Sequence, residues 1–332
     1  MVLRHEEEEK VMKKVVYVTG CLGFIGAYVT EACLKQGWHV IGVDKMTYAA
    51  QPDRLHDFET YGPNMFKFIK SDINDLDRLY DCDYIINTAA ETHVDNSIVS
   101  SKEFLHSNVN GVHHLLELIK TKERFRMPTL LHFSTDEVYG DIAKGAHKET
   151  DLLKPSNPYS ATKAAADMLI LAWGRTFKVP YVIVRPTNNY GVGQYTEKLI
   201  PKTCKLLQLG RKVPLHNNGT PRRTWLHAKD TASAIITIIN TGVQNEIYNI
   251  GGNAELQNAE VVGKILSIQD GRKNLFDGEL DDFCDFSYHR DGQDVRYSLD
   301  DSKLRKLGWS NKCDLDKELP TVVTYYQNKF VW

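Results

Sequence analysis

The sequence predicts an α/β fold in which a doubly wound parallel sheet is covered by helices on both faces. Three observations carry that expectation. Short, uniformly apolar β-branched runs alternate with helical patterns from Lys14 to Pro186. A turn with glycines at 20, 23 and 26 follows the first of those runs and opens the first helical pattern. The chain has 332 residues, 42% of them hydrophobic and 25% charged, enough for one large domain or two that share an interface.

The strands are read in order as "KVVYVTG", "HVIGVDK", "KFIKSDI", "YIINTAA", "TLLHFST" and "YVIVRP". Each is too uniformly apolar for an antiparallel strand with one wet face, so both faces are expected to be buried. Amphipathic segments at Phe24–Gln36 and Ser107–Thr121 supply covering helices. Beyond Pro186 the pattern becomes turn-rich, with helical spacing at Glu197–Leu209 and Asp230–Thr241. The strand-like "EIYNIGG" is placed to return to the main sheet. We therefore expect an N-terminal extension over 1–13, a dinucleotide-binding region over 14–187, and a smaller, interleaved C-terminal lobe over 188–332.

Composition narrows the function. A formal charge of −2 leaves no basic footprint for nucleic acid and no polybasic signal for a membrane. The start of the chain has four consecutive Glu and no apolar core, so it reads as a solvated extension rather than a signal peptide. No run approaches the roughly 18 apolar residues of a membrane span. Six scattered cysteines form no CxxC pair and no Cys/His cluster at metal-ligand spacing, so no metal is expected and a reduced, cytoplasmic setting fits.

Gly20, Gly23 and Gly26 stand between a strand and a helix, where the backbone must turn sharply and approach a pyrophosphate at the helix N-terminus. Asp44 ends the second strand 24 residues after Gly20, placed to accept from a ribose hydroxyl and to repel a 2′-phosphate. That is a Rossmann-type signature, and it favours NAD over NADP, although the adjacent Lys45 softens the discrimination. Asp72, after the third strand, is placed either to meet the adenine end or to cap a surface turn.

"NPYSATKAAADML" puts Tyr159 and Lys163 four residues apart at the start of a helix, hence on one face. A cation beneath a phenol favours its ionised form and lets it act as a base. Alone, YxxxK is a common chance pattern. "LLHFSTDEVYG" ends an apolar strand in Thr135, Asp136 and Glu137. An isolated acidic pair at a strand end is ordinarily a solvated loop or a helix cap.

Taken together, the glycine turn, the Ser/Thr-bearing strand end and YxxxK resemble the extended short-chain dehydrogenase/reductase superfamily over nearly the whole chain. "STDEVYG" is similar to the signature of its nucleotide-sugar 4,6-dehydratases. The resemblance implies that Tyr159 takes the proton from a sugar hydroxyl while NAD takes the hydride. Lys163 assists and holds the nicotinamide ribose, and Thr135 hydrogen-bonds the reacting oxygen. It further implies that Glu137 removes the C5 proton and Asp136, kept protonated by its neighbour, protonates the departing O6. The same hydride then returns at C6, with no net redox change.

The resemblance extends to other segments. It implies cofactor contacts at Phe24, Ile25, Thr47, Ile73, Ala89, Ala90, Thr92, Asn108, Ser134 and Asn188, and substrate contacts at Asn189, Glu197, Lys198, Leu199, Pro214, His216, Arg223, Asn258, Arg290 and Gln293. A homodimer formed by pairing Ser107–Thr121 and Tyr159–Thr176 with their copies is implied as well, although a buried monomer helix would read the same way.

His216 in "VPLHNNG" and Gln293 in "RDGQD" depart from the bacterial dTDP-glucose enzymes. "NPYSATKA", "THVDNS" and "DDSKLRKLGW" are closer to the N-terminal domain of plant UDP-rhamnose synthases. The first expectation is therefore a UDP-glucose 4,6-dehydratase in rhamnose-type biosynthesis, with the dTDP-glucose enzyme as the alternative. The second, epimerase/reductase half of the plant proteins is missing, so the product expected is the 4-keto-6-deoxy sugar. An epimerase or decarboxylase would not need the acid pair, and a non-catalytic NAD-binding scaffold would be expected to have lost Tyr159, Lys163 or a loop glycine.

Overall fold

The structure, a computed structural model, describes residues 13–271, 279–290 and 292–329. Of the expected N-terminal extension, residues 1–12 lie outside the described residues. Twelve strands are described: β1 Val15–Thr19, β2 His39–Asp44, β3 Phe66–Lys70, β4 Tyr84–Asn87, β5 Thr129–Phe133, β6 Tyr181–Pro186, β7 Asn188–Tyr190, β8 Val213–Pro214, β9 Arg222–His227, β10 Glu246–Ile250, β11 Ala254–Gln257 and β12 Cys284–Asp285. Seven of them build one parallel sheet in the order β10-β6-β5-β4-β1-β2-β3.

All six sequence-read strands lie in that sheet, and the "EIYNIGG" segment returns to it as β10 beside β6. Alternate residues serve opposite faces, and both faces are buried. Val16, Val18, Ile86 and Leu131 pack with Ile235 and Ile238 of helix Ala228–Thr241. Tyr17, Ile41, Ile85 and Leu130 pack with Leu115 and Ile119 of helix Gly111–Lys120 and with Ile170 of helix Pro158–Phe177. Each such side chain contributes roughly 1.5–3 kcal/mol on burial, which is why this region tolerates so little alternation with polar residues.

The strand order reverses between β1 and β4, so a crevice opens at their C-terminal ends. The second region closes the crevice from above. It is built on a three-stranded sheet, β11-β9-β7, and on helices Leu199–Gln208, Asn258–Asp270 and Leu315–Asn328, packed around Cys204, Trp225, Val261, Leu319 and Val323.

Two helices differ from expectation. The Ser107–Thr121 pattern is α-helical only over Gly111–Lys120, because Leu105–Asn110 adopts the wider π-helical spacing. There the buried Asn108 amide bonds the backbone of Glu91 and the Thr162 hydroxyl. The helix expected from Glu197 starts at Leu199, which leaves Glu197 and Lys198 on the connecting loop. Among the described residues, no helix is long and apolar enough to cross a membrane.

Candidate active site

The glycine turn is sterically fixed. Gly20 has φ +70°, and a Cβ there would stand 2.8 Å from Ala89 Cα, while one on Gly26 would meet the Gly20 carbonyl oxygen at 1.9 Å. Gly23 caps helix Phe24–Lys35 without a side chain, so no cap claims the first-turn N–H groups. Gly20, Gly23, Phe24, Ile25 and Gly26 form one end of a cavity at the crevice. A backbone cradle with unclaimed donors suits a diphosphate.

Asp44, Lys45, Thr47, Asp72, Ile73, Ala89, Ala90 and Thr92 continue the wall of this cavity, followed by Ser134, Thr135, Asp136, Glu137, Tyr159 and Asn188. Asp44 is also a clamp: its carboxylate accepts from the Leu22 N–H at 2.9 Å and the Met46 N–H at 2.7 Å. Burial raises its carboxyl, and those two amides oppose the rise. Lys45 reaches across to Asp72 at 3.4 Å and Glu91 at 3.8 Å. Asp72 caps the turn Ile73–Asp75 through the Asn74 N–H and also lines the cavity.

A second cavity adjoins the first. Its wall includes Leu199, Pro214, His216, Arg223, Asn258, Arg290 and Gln293. Thr92, Glu137, Asn188, Asn189, Glu197 and Lys198 belong to both walls, so the two spaces meet at Glu137. The guanidinium of Arg223 donates to the Arg222 and Asp294 carbonyls and lies 4.4 Å from the Tyr297 ring centroid. Arg290 is held by Asp95 and Gln293, each at 3.0 Å. Lys198 donates to Thr92 at 2.9 Å, tying the two regions together.

At the junction, β5 ends and the chain winds into a short 3₁₀ turn over Asp136–Tyr139. The Thr135 hydroxyl donates to Asp136 Oδ1 at 3.1 Å and accepts from the Glu137 N–H at 3.3 Å. Asp136 is 3% exposed, and its Oδ2 has no partner. Burial, and then the neighbouring Glu137 charge, push its carboxyl up to about 7. Burial raises Glu137 too, opposed by Arg223 and by Asn157, whose Nδ2 donates to Glu137 Oε2 at 3.2 Å. One proton-holding and one proton-accepting carboxyl side by side can perform paired acid and base steps.

One expectation needs correction, and one residue has a partner that was not anticipated. Tyr159 and Lys163 share a face of helix Pro158–Phe177. Burial and then Glu137 push the Tyr159 phenol well up, while a hydrogen bond with Thr135 pulls it down. The Lys163 amine lies behind the cavity wall, 3.5 Å from His132 Nε2, and burial brings it down to about 8. Asn108 was expected to touch cofactor, but it is fully buried behind the wall, where it fixes the loop at Glu91.

Several lining residues were not anticipated, among them Thr88, Gln194 and Tyr195 in the first cavity and Asn157, Asp294 and Tyr297 in the second. Asn157 had a local signal, since "NPYS" is a helix-capping sequence. Buried Asp294 is bonded to Tyr297, three residues on, and to Ser156, 138 residues away; only the fold brings that second partner to it.

The family model described as GDP-mannose 4,6 dehydratase matches residues 17–321. A trifunctional UDP-glucose 4,6-dehydratase/3,5-epimerase/reductase of Arabidopsis thaliana is 36% identical over 331 residues, covering 96% of this chain and 48% of that protein. The chain thus spans about half the length of that relative. A dTDP-glucose 4,6-dehydratase of Streptomyces niveus is 38% identical over 328 residues, covering 96% of this chain and 94% of that one. The crystal structure of the dTDP-glucose 4,6-dehydratase DesIV from Streptomyces venezuelae, solved with NAD bound, superposes with a TM-score of 0.87 at 34% identity over 95% of this chain and 97% of that one. With the glycine cradle, the Asp136–Glu137 pair and Tyr159 gathered at one crevice, these likenesses establish that the chain belongs to the GDP-mannose 4,6 dehydratase family, among its nucleotide-sugar 4,6-dehydratases.

Proposed function

We propose that this protein converts UDP-glucose to UDP-4-keto-6-deoxyglucose, a nucleotide-sugar 4,6-dehydratase reaction, using tightly held NAD. The observation that carries this reading is the Asp136–Glu137 pair at the junction of the two cavities, Asp136 buried with its carboxyl raised to about 7 and Glu137 half-buried beside it. A plain epimerase or reductase has no use for it. The residues of the first cavity fit a dinucleotide: Gly20, Gly23 and Gly26 would take the diphosphate, Asp44 a ribose, and Ala89, Ala90, Thr92, Ser134 and Asn188 the nicotinamide end, with Lys163 behind the wall at that end.

NAD supplies the site that accepts the C4 hydride and returns it at C6. Tyr159 takes the proton from the C4 hydroxyl, with Thr135 bonded to the same oxygen. The C4 ketone acidifies the C5 proton, which Glu137 removes. Asp136 gives its proton to O6, and the C6–O6 bond breaks with release of water. As the hydride arrives at C6, Glu137 returns its proton to C5, the Tyr159 proton leaves to solvent and Asp136 regains one. Two electrons thus leave C4, two arrive at C6, and one water is lost without an external oxidant.

In the second cavity, Arg223 and Arg290 would meet the diphosphate of the sugar nucleotide, Asn189, Glu197, Lys198 and Leu199 the sugar, and Pro214, His216, Asn258 and Gln293 the nucleoside end. The relative from Arabidopsis, named for UDP-glucose, motivates the first choice of nucleotide, and the Streptomyces niveus enzyme, named for dTDP-glucose, motivates the alternative. One methyl separates the two bases, a difference of about 1–3 kcal/mol in a pocket.

The reading divides the chain into a cofactor region over 14–187 and a substrate lobe over 188–332, interleaved through β10. It pairs helix Pro158–Phe177, where Met168 and Phe177 are exposed, with a second copy. The six free cysteines support a reducing, cytoplasmic setting. Incubation with UDP-glucose or dTDP-glucose and catalytic NAD should give a product lighter by one water. No loss with either substrate would refute the dehydratase reading, and faster loss with dTDP-glucose would favour the alternative.

A further inference from the structure

Behind the cavity wall, the chemistry above leaves a row of buried polar side chains unused. Thr19, Asn87 and His132 occupy aligned positions on β1, β4 and β5, and each is at most 1% exposed. Thr19 Oγ1 lies 2.6 Å from Asn87 Oδ1, Asn87 Nδ2 lies 3.0 Å from His132 Nδ1, and His132 Nε2 lies 3.5 Å from Lys163 Nζ. Polar groups are tolerated in the middle of an apolar sheet only when each finds a partner.

The row can be satisfied in two polarities. When Lys163 is an amine, each group donates toward it: the threonine hydroxyl to Asn87 Oδ1, Asn87 Nδ2 to His132 Nδ1, and His132 Nε2–H to the amine lone pair. When Lys163 is an ammonium it has three donors and no acceptor, so Nε2 must accept and the ring proton must sit on Nδ1. Asn87 then turns its amide over, with Oδ1 toward His132 and Nδ2 toward the Thr19 hydroxyl. The contact distances are the same for both because the amide is nearly symmetric in shape. Between the two states one proton is lost to solvent, and the imidazole keeps its single proton. Burial and the lysine beside it hold that imidazole neutral.

We propose that His132 is a positioning residue for Lys163, and that its ring proton passes from Nδ1 to Nε2 when Lys163 changes from ammonium to amine. The Thr19–Asn87–His132 row thereby holds the lysine in place in both charge states. Other groups set the balance. Asp167 faces Lys163 from its own helix and favours the ammonium. Arg185 on β6 ties up Asp167 at 3.0 Å and 2.9 Å, so that carboxylate is shared. Asp136 and Glu137, beyond β5, act on Tyr159 rather than on the lysine. Burial brings Lys163 down to about 8, so both states are accessible near neutrality.

The proposal rests on the role given to Lys163, but its first test needs no turnover. In protein labelled with ¹⁵N-histidine, without added cofactor or sugar, the His132 signal is identified by its loss in His132→Gln. The ring should stay neutral while its unprotonated nitrogen changes from Nε2 to Nδ1 as Lys163 titrates. A fixed tautomer, or an imidazolium in that range, would overturn the proposal. In the sugar-oxidising half-reaction, His132→Phe removes the acceptor of the ammonium. The alkaline limb of the pH profile should therefore move down by about one pH unit, with KM for the sugar nucleotide unchanged. His132→Gln, whose amide can present oxygen or nitrogen, should restore most of that shift. An unmoved limb in His132→Phe would equally overturn the proposal, whereas failure of the dehydratase reading would appear as absent turnover in the unaltered protein.

Discussion

Asn157 donates from Nδ2 to Glu137 Oε2 at 3.2 Å while its Oδ1 accepts from the Ser160 N–H at 2.9 Å. One side chain therefore caps the helix that carries Tyr159 and Lys163 and orients a carboxylate on the turn after β5. Asn157→Ala should lose about 1 kcal/mol of stability from the missing cap. It should also slow elimination about tenfold by freeing Glu137. Asn157→Asp keeps the cap but sets a second charge beside Glu137, so elimination should slow while stability is largely retained. Single-turnover kinetics separate the phases, and an equal slowing of oxidation and elimination would contradict this coupling.

Glu137→Gln removes the base proposed for C5 and leaves Tyr159 and Thr135 untouched. C4 oxidation should proceed and then stall, so the absorbance of reduced nicotinamide builds up on the enzyme. The overall rate should fall by about 10²–10⁴, the usual range for a lost general base. Normal turnover without accumulation would assign the base elsewhere.

Tyr159→Phe should block the first step itself. No reduced nicotinamide should form on mixing with sugar nucleotide, although binding measured by calorimetry should persist, because the hydroxyl is a small part of the contact. The two variants together order the steps, since one stalls after oxidation and the other before it. Rapid reduction in Tyr159→Phe would remove that residue from the chemistry.

Much of this was legible locally. A strand buried on both faces shows as an unbroken β-branched run, and Gly20 and Gly26 announce themselves because backbone atoms occupy the space a Cβ would need. The "STDE" sequence puts the acid pair on one short turn, so adjacency in sequence already meant adjacency in space. What was not legible depends on register between distant strands. His132 looks like a polar interruption in "TLLHF" until β4 and β1 bring Asn87 and Thr19 level with it. The spacing of Tyr159 and Lys163 was read correctly as one helix face, but helical spacing says nothing of the sheet beneath, which draws the lysine toward His132. The start of the helix at Leu199 reflects the same limit, because Lys198 is drawn instead to Thr92 across the crevice.

Asp136 makes the sharpest pH prediction. Its carboxyl is pushed up to about 7 in the folded protein, by burial first and then by Glu137, against about 3.9 in an unfolded chain. Between those values the folded state keeps a proton that the unfolded state has released. Stability therefore falls as pH rises through that window, and this contribution levels off above about 7. Asp136→Asn removes the dependence, and it also relieves Glu137 of a like charge. The variant should melt higher than the unaltered protein, with a larger gain at about pH 8 than at about pH 5, the two differing by about 1 kcal/mol or more. The same change removes the proton meant for O6, so a stabler protein should be a poor dehydratase, as expected where a site holds a costly buried group. Thermal melts at the two pH values decide the matter, and equal gains would mean that Asp136 does not hold its proton in the folded protein.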